Sequence, residues 1–303
     1  MNAPNRASNR SLFLSRGIIT PYLFVAPAFL LIIVFIFYPV IESFALSLYN
    51  WTGISKKTFV GFDNFRELLR DQVFWLAIKN NLAFTLLTTA GTVFLGFFLA
   101  VAIERRLRGW QFYKIVYFLP VMMSTTVVGL LCGRILDPTL GSVNLLLKGL
   151  GISSPPFWLG NPKIVLLSII AITIWQYAGF PMIVLLAAME NILQEIHEAA
   201  TIDGVNNWQR IWYVTFPLIR PVFFMITILQ VIFSFKVFDI VWAMTQGGPG
   251  DSSIVLGVYL YKTAFRYTKF GYGSTIALAM LMIIVPLSLL YLRITRLETV
   301  EIE

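Results

Sequence analysis

Charge is what this 303-residue sequence has least of. Only 13% of its residues are Asp, Glu, Lys or Arg, where an ordinary soluble domain carries about a quarter. With 58% apolar residues and a mean hydropathy of +0.78, that shortage excludes a water-soluble globule, because the apolar surface exceeds what one core hides. Cysteine is nearly missing as well. Cys132 stands alone in an apolar run, which excludes an internal disulfide or a multi-cysteine metal site and leaves the redox compartment unread. The one histidine, His197, has no metal-spaced carboxylates around it, so the expected metal and catalytic residues are none and a membrane-embedded enzyme lacks its acid, base and metal groups. No G-x-x-x-x-G-K-S/T string occurs, so no phosphate cradle is expected and ATP hydrolysis would have to lie on another subunit.

What is present is a series of long apolar runs. About 20 apolar residues cross a hydrocarbon layer about 30 Å thick, and six stretches qualify, at about 20–44, 81–103, 115–136, 164–189, 221–245 and 273–292. The expected fold is therefore an all-α polytopic membrane protein with six transmembrane helices in one domain, 1–303. The runs are continuous rather than alternating, which disfavours a β-barrel. Arg6, Arg10 and Arg16 precede the first run as in a secretory signal, but the run is longer than an h-region and no clear small-x-small cleavage site follows, so it reads as an uncleaved anchor.

Basic residues set the orientation. The net charge of +8 would suggest nucleic acid for a soluble chain, but here Lys and Arg sit mostly in loops, as topology signals and lipid headgroup contacts, and no nucleic-acid partner is expected. The shortest loop, Glu104 to Lys114, holds Arg105, Arg106, Arg108 and Lys114 and should face the cytoplasm. The N-terminal arginines and Arg293 with Arg296 agree, whereas Lys56, Lys57, Arg66, Arg70 and Lys79 in the 45–80 segment dilute the bias. Both termini and the loops 104–114 and 190–220 are then inside; 45–80, 137–163 and 246–272 are outside.

The 190–220 loop is too polar to span. It reads as helix, turn, helix, with Leu193, Ile196 and Ala200 on one face and Glu195, Glu198 and Asp203 among them. Asp203-Gly204 breaks the first helix, and Asn206 or Asn207 can cap a second through Trp208, Ile211 and Trp212 that ends before Pro217 and Pro221. Two readings stand on physics alone: an amphipathic helix on the headgroups, or a docking element in which Ala199-Ala200 permits close approach and Glu198 meets a basic partner.

Glu198-Ala199-Ala200, then Gly204, then Phe216-Pro217 resembles the EAA loop of binding-protein-dependent ABC importer permeases, with Val214 and Phe216 where that pattern has Ile and Leu. The string EAATIDGVNNWQRIWYVTFPLIRP is similar to the version in carbohydrate-importing permeases, as are FDIVWAMTQGGPGDSSIVLGVYLYKTAF, GFDNFRELLRDQVFWLAIKNNLAFT and YFLPVMMSTTVVGLL. The FD-x-x-x-x-MT-x-GGP element resembles the maltose-type and glycerol-3-phosphate-type first permease subunit. The resemblance implies a type I importer-like fold in a bacterial or archaeal cell (inner) membrane. It implies a second permease subunit, ATPase subunits carrying ATP and Mg, and an extracytoplasmic solute-binding protein as partners. It also assigns Glu198, Ala199, Ala200, Asp203 and Gly204 to an ATPase-coupling cytoplasmic loop. The implied cargo is a sugar or oligosaccharide, with a glycerol-phosphate ester as the alternative.

Polar residues within the spans are the candidate substrate pathway. Gln176 with Tyr177, and Gln230 with Ser234, offer the amides and hydroxyls that sugar hydroxyls require, or else interhelical hydrogen bonds worth only about 1 kcal/mol. Lys236 and Asp239 could pair on one helical face or meet substrate; Arg134 and Asp137 repeat that spacing. Trp242 offers an aromatic face, but with Trp158 and Trp175 it also fits an interfacial belt. Gly129-x-x-x-Gly133 suits close helix packing. An ion-coupled secondary transporter would show paired broken helices and mid-membrane carboxylates, and the apolar runs show neither.

Overall fold

In lipid a peptide group has no water to bond, so each segment must close its own hydrogen bonds or borrow partners. A computed structural model describes residues 22, 24–105 and 108–300 of this chain, with side chains described as far as Leu289 and at Arg293. Arg6, Arg10, Arg16 and Arg106, the start of the first expected span and the Arg296 side chain lie outside the described residues. Helix α1 (Phe24–Ser47) is followed by a two-stranded antiparallel ribbon, Tyr49–Asn50 against Thr58–Phe59, and by α2 (Asp63–Arg70). Helix α3 (Gln72–Glu104) is the longest unbroken span, and α4 (Trp110–Phe118) and α5 (Thr125–Ile135) come after it. The short α6 (Ser142–Gly149) precedes α7 (Val165–Glu190) and α8 (Gln194–Ile202). Then come α9 (Asn207–Phe235), α10 (Asp239–Met244), α11 (Leu256–Tyr261) and α12 (Phe270–Val300).

Five of these, α1, α3, α7, α9 and α12, are each long and apolar enough to span. The expected third span, 115–136, is not one straight helix. Pro120 sits in a 3₁₀ turn (Leu119–Met122), Met123 is extended, and the two halves meet at 98°. The expected fifth span, 221–245, is also broken: α9 stops at Phe235 and a separate α10 starts at Asp239. At its other end α9 runs unbroken through Pro217 and Pro221 back to Asn207, so the second loop helix does not end before the prolines. Pro217 lies at the start of a helical segment after a π turn (Ile211–Thr215), where its missing N–H is tolerated.

The breaks explain two ion pairs that do not form. No ion pair joins Lys236 to Asp239, because Lys236 ends one helix and Asp239 begins another. Asp137 lies beyond the end of α5 and, rather than pairing with Arg134, accepts from Thr139 N (2.9 Å), Thr139 Oγ1 (2.8 Å) and Leu140 N (2.9 Å). The Gly129/Gly133 spacing is used by half: Gly129 faces Ala243 of α10, whereas Gly133 faces open space.

Helix α3 is the element around which the others are laid. One apolar cluster joins its first half (Phe74, Phe84) to Ile169, Ile240, Ile254 and Ile276. A second joins Phe97 and Ala100 to Met182, Leu185, Ile219 and Ile226. Gly96 lets α7 come against the α3 backbone, since a Cβ there would lie 2.7 Å from Pro181 Cβ and 2.9 Å from Ala178 O. Asp71 caps α3, its Oδ1 accepting from Val73 N at 2.8 Å and Phe74 N at 3.3 Å. Its Oδ2 accepts from the Tyr272 hydroxyl at 2.6 Å and from that of Tyr259, tying α11 and α12 to the start of α3.

Burial pushes the Asp71 carboxyl up, but the two tyrosine hydroxyls and the Phe74 and Val73 amides together hold it below the ordinary 3.8. A depressed folded-state pKa gives stability that is complete above the unfolded value and lost as pH falls through the folded one. The Asp71→Ala variant should lose about 2 kcal/mol or more, from a cap worth about 1 and two tyrosine hydroxyls left without their acceptor. Its thermal unfolding in detergent should also lose the share of acid destabilisation that Asp71 is expected to add to the parent below about pH 3.8. Gly96→Leu should lower the unfolding temperature more than Gly133→Leu, as overpacking costs about 1–3 kcal/mol where space is absent and nothing crowds Gly133.

Candidate functional site

Residues 194–210 form the expected helix-turn-helix. Helix α8 ends in a Schellman-type turn, with Val205 N donating to Ala200 O at 3.1 Å and Gly204 N to Thr201 O at 3.1 Å. Gly204 adopts φ +75°, the left-handed region where a side chain is strained. Asn206, not Asn207, is the cap of the next helix: its Oδ1 accepts from Trp208 N (3.0 Å) and Gln209 N (2.8 Å), and Gln209 Oε1 accepts from Asn206 N (3.0 Å). Glu198, Ala199, Asp203 and Gly204 are exposed, while Ala200 is buried against the chain itself. Ile196 is half-buried with Ala200, but Leu193 is exposed, so the expected apolar face is shorter than its spacing suggested. His197 is half-buried and packed, its Nδ1 lacking a hydrogen-bond partner.

At the far end of α9 lies a cavity of about 460 Å³ lined by residues of α3, α5, α7, α9 and α10. Tyr177, Gln230, Ser234 and Asp239 of the expected pathway residues line it; Gln176 and Trp242 do not. Gln176 is fully buried and donates through Nε2 to Met123 O (3.2 Å), the carbonyl freed where the third span breaks. Trp242 instead packs with Phe238 (5.8 Å between centroids) and Tyr261 (4.7 Å). Trp158 donates to Asn144 Oδ1 (2.8 Å) and Trp175 is exposed.

The residues that line the cavity also hold helices together. Gln230 Nε2 donates to Thr92 Oγ1 (2.9 Å), Thr88 Oγ1 donates to Ser234 Oγ (3.1 Å), and the Tyr177 and Thr125 hydroxyls are 2.5 Å apart. Thr88, Thr92, Thr125, Thr173 and Lys236 complete the polar lining, and of these the four threonines were not expected. The signal for Thr88 and Thr92 was the hydroxyl-rich run TLLTTAGT within the second apolar stretch, whose i, i+4 spacing puts the two on one face. Phe84, Phe180, Phe233 and Phe238 supply aromatic surface. Among the described residues no three His, Cys, Asp or Glu side chains are grouped to hold a metal ion.

A second basin, about 990 Å³, lies beside Asp71 between α2 and the α11 region. Arg66, Glu67, Arg70, Asp251, Lys262 and Lys269 are among its lining residues. Arg66 pairs with Asp63 (2.9 Å) and Lys262 with Asp251 (3.3 Å).

The chain matches the family described as binding-protein-dependent transport system inner membrane component over residues 11–297. It is 37% identical to the probable ABC transporter permease protein YurN of Bacillus subtilis over 279 residues, covering 91% of this chain and 95% of that one. It is 36% identical to the lactose transport system permease protein LacF of Rhizobium radiobacter over 277 residues, 89% of this chain and 91% of that one. In fold it is similar to a chain of a bacterial alginate ABC transporter solved in complex with an alginate pentasaccharide-bound periplasmic protein. The TM-score is 0.84 and the identity 23%, covering 95% of this chain and 97% of that one. This multi-pass chain therefore belongs to the binding-protein-dependent transport system inner membrane component family, whose members are permease subunits of ABC importers and not enzymes.

Proposed function

We propose that this chain is the first permease subunit of an ATP-driven importer for a neutral sugar or oligosaccharide, sharing the translocation path with a second permease. One observation carries the reading: the capped turn at 203–206 and the polar cavity lie at opposite ends of a single helix, α9. At about 1.5 Å per residue, Asn207 and Gln230 are about 35 Å apart. In this reading the exposed Glu198, Ala199, Asp203 and Gly204 meet a separate ATPase subunit, which holds ATP and Mg, and α9 carries the displacement to Gln230 and Ser234. Ala200 supports the docking face from inside the chain.

The cavity chemistry supports a sugar. Hydroxyls, an amide and phenyl faces suit the alternating O–H and C–H surface of a pyranose. Lys236 and Asp239 contribute one charge of each sign, which favours a neutral cargo over a phosphate ester. The relatives named for lactose transport and for trehalose/maltose transport support the same class. Both termini and the 104–114 and 190–220 loops are assigned to the cytoplasm of a bacterial or archaeal cell (inner) membrane. The charged basin beside Asp71 then faces the extracytoplasmic solute-binding protein.

Gly204→Trp and Glu198→Ala should abolish uptake, in the reconstituted complex, of the sugar that copurifies with the cognate binding protein, and leave that protein's own sugar affinity unchanged. Normal uptake by the double variant would remove the loop from the coupling path. In a Cys132→Ser background, Gln111→Cys and Gln194→Cys should be shielded from an impermeant thiol reagent in intact cells, and labelling of both would invert the orientation. Tyr177→Phe and Ser234→Ala each remove one hydroxyl from the cavity and should raise the half-saturating sugar concentration by about 3- to 10-fold, the worth of one hydrogen bond of about 1 kcal/mol.

A further inference from the structure

Where α9 leaves the loop it contains a π turn, Ile211–Thr215, with Phe216 N donating to Ile211 O across a loop one residue wider than an α turn. Wide turns of this kind are points where a helix can flex, and this one stands between the docking segment and the cavity. It is braced by aromatic rings. Trp208, Trp212, Phe216 and Phe223 form a column along α9, with successive centroids 6.0, 5.6 and 5.3 Å apart. Phe97 of α3, only 1% exposed, touches three of them: Trp212 within the turn at 5.9 Å, Phe216 just after it at 5.8 Å, and Phe223 two turns on at 6.0 Å. One buried ring on α3 thus grips α9 within and beyond its point of flexure. Phe97 is buried and Phe216 and Phe223 are half-buried, while Trp208 and Trp212 each keep an exposed side; the inner rings have few alternative rotamers, so a bend at the turn would have to break several contacts together.

We propose that Phe97, through Trp212, Phe216 and Phe223, locks the π turn so that the docking segment, α9 and α3 move as one body when the partner ATPase closes. Phe97 and Trp212 are then positioning residues for coupling and touch neither nucleotide nor cargo. The inference rests on the reading that the 194–210 loop meets an ATPase.

The test uses the assembled transporter with Cys132→Ser, carrying spin labels at Gln194→Cys on α8 and Leu95→Cys on α3, compared without nucleotide and after trapping with ATP and vanadate. With the rings intact, the distance between the labels should be the same in both states. Trp212→Leu should make it shift or broaden on trapping, whereas Trp212→Phe, which keeps a ring in place, should behave as the parent. Phe97→Leu should act as Trp212→Leu does; if it fails to fold, the Trp212 pair decides. A parent distance that changes on trapping overturns the proposal, as do a Trp212→Leu variant that behaves as the parent, a Trp212→Phe variant that behaves as Trp212→Leu, or failure of Trp212→Leu to assemble. A merely structural role would lower the unfolding temperature without making the distance depend on nucleotide. A third label on the ATPase separates the underlying reading: if Gln194 stays remote from that subunit in both states, the docking assignment itself falls.

Discussion

A helix may break inside a membrane only if another group takes up the peptide atoms that the break sets free, and here amide side chains meet that condition repeatedly. Asn81 Nδ2 donates to Phe235 O (3.0 Å), where α9 stops, and its Oδ1 accepts from Leu256 N (3.3 Å). Asn80 donates to Ser252 O (3.2 Å) and Ile254 O (2.9 Å). Gln176 takes Met123 O at the broken third span, and Asn64 takes Ser47 O (2.7 Å) and Tyr49 O (3.0 Å) at the end of α1. Two of these amides are on α3, an uninterrupted helix capped by Asp71. The straight helix supplies partners and the broken ones take them.

The cavity depends on this arrangement. Had the third and fifth spans been straight, their side chains would have packed along their length like the others. The bend at 119–124 and the gap at 236–238 instead leave room that Thr88, Thr92, Tyr177, Gln230 and Ser234 line. The same hydroxyls and amides are shared between two tasks, since each bonds to a neighbouring helix and also borders the open space. Interhelical bonds of this kind are individually weak, about 0.6 kcal/mol on average in a membrane, so a wall built from them can exchange partners with a sugar hydroxyl at small cost.

Much of this was legible in the residues. The spans are visible as apolar runs because hydrophobic length is a one-dimensional property. The helix-turn-helix is visible because Gly204 and Asn206 act through their immediate neighbours. What stayed hidden involves partners far away along the chain. Nothing local to Pro120 distinguishes a kink from a 98° bend; the difference lies in Gln176, 53 residues away from Met123. The Lys236/Asp239 spacing suggested an ion pair only on the premise of a continuous helix, and Asn81, 154 residues from Phe235, helps to make the premise false. Asp71 was passed over for a similar reason, since Tyr259 and Tyr272 are brought to it only by the fold. Gln176 was placed in the pathway because it is polar at membrane depth, yet its Nε2 is taken by a backbone carbonyl and it does not line the cavity.

The length of α9 bears on how a cytoplasmic event can reach a cavity about 35 Å away. A hydrogen-bonded helix transmits a push along its axis without loss unless it buckles, and buckling begins where the i to i−4 ladder is interrupted. Residues 207–235 contain one such interruption, the π turn at Ile211–Thr215, and two prolines that remove N–H donors, Pro217 and Pro221. All three fall in the half of α9 nearest the loop, beside the column of rings that Phe97 grips, while the half that lines the cavity is regular. The weak points of the lever are thus gathered where aromatic packing is densest, and the part that bears Gln230 and Ser234 is left to shift with α3, to which both residues are hydrogen-bonded.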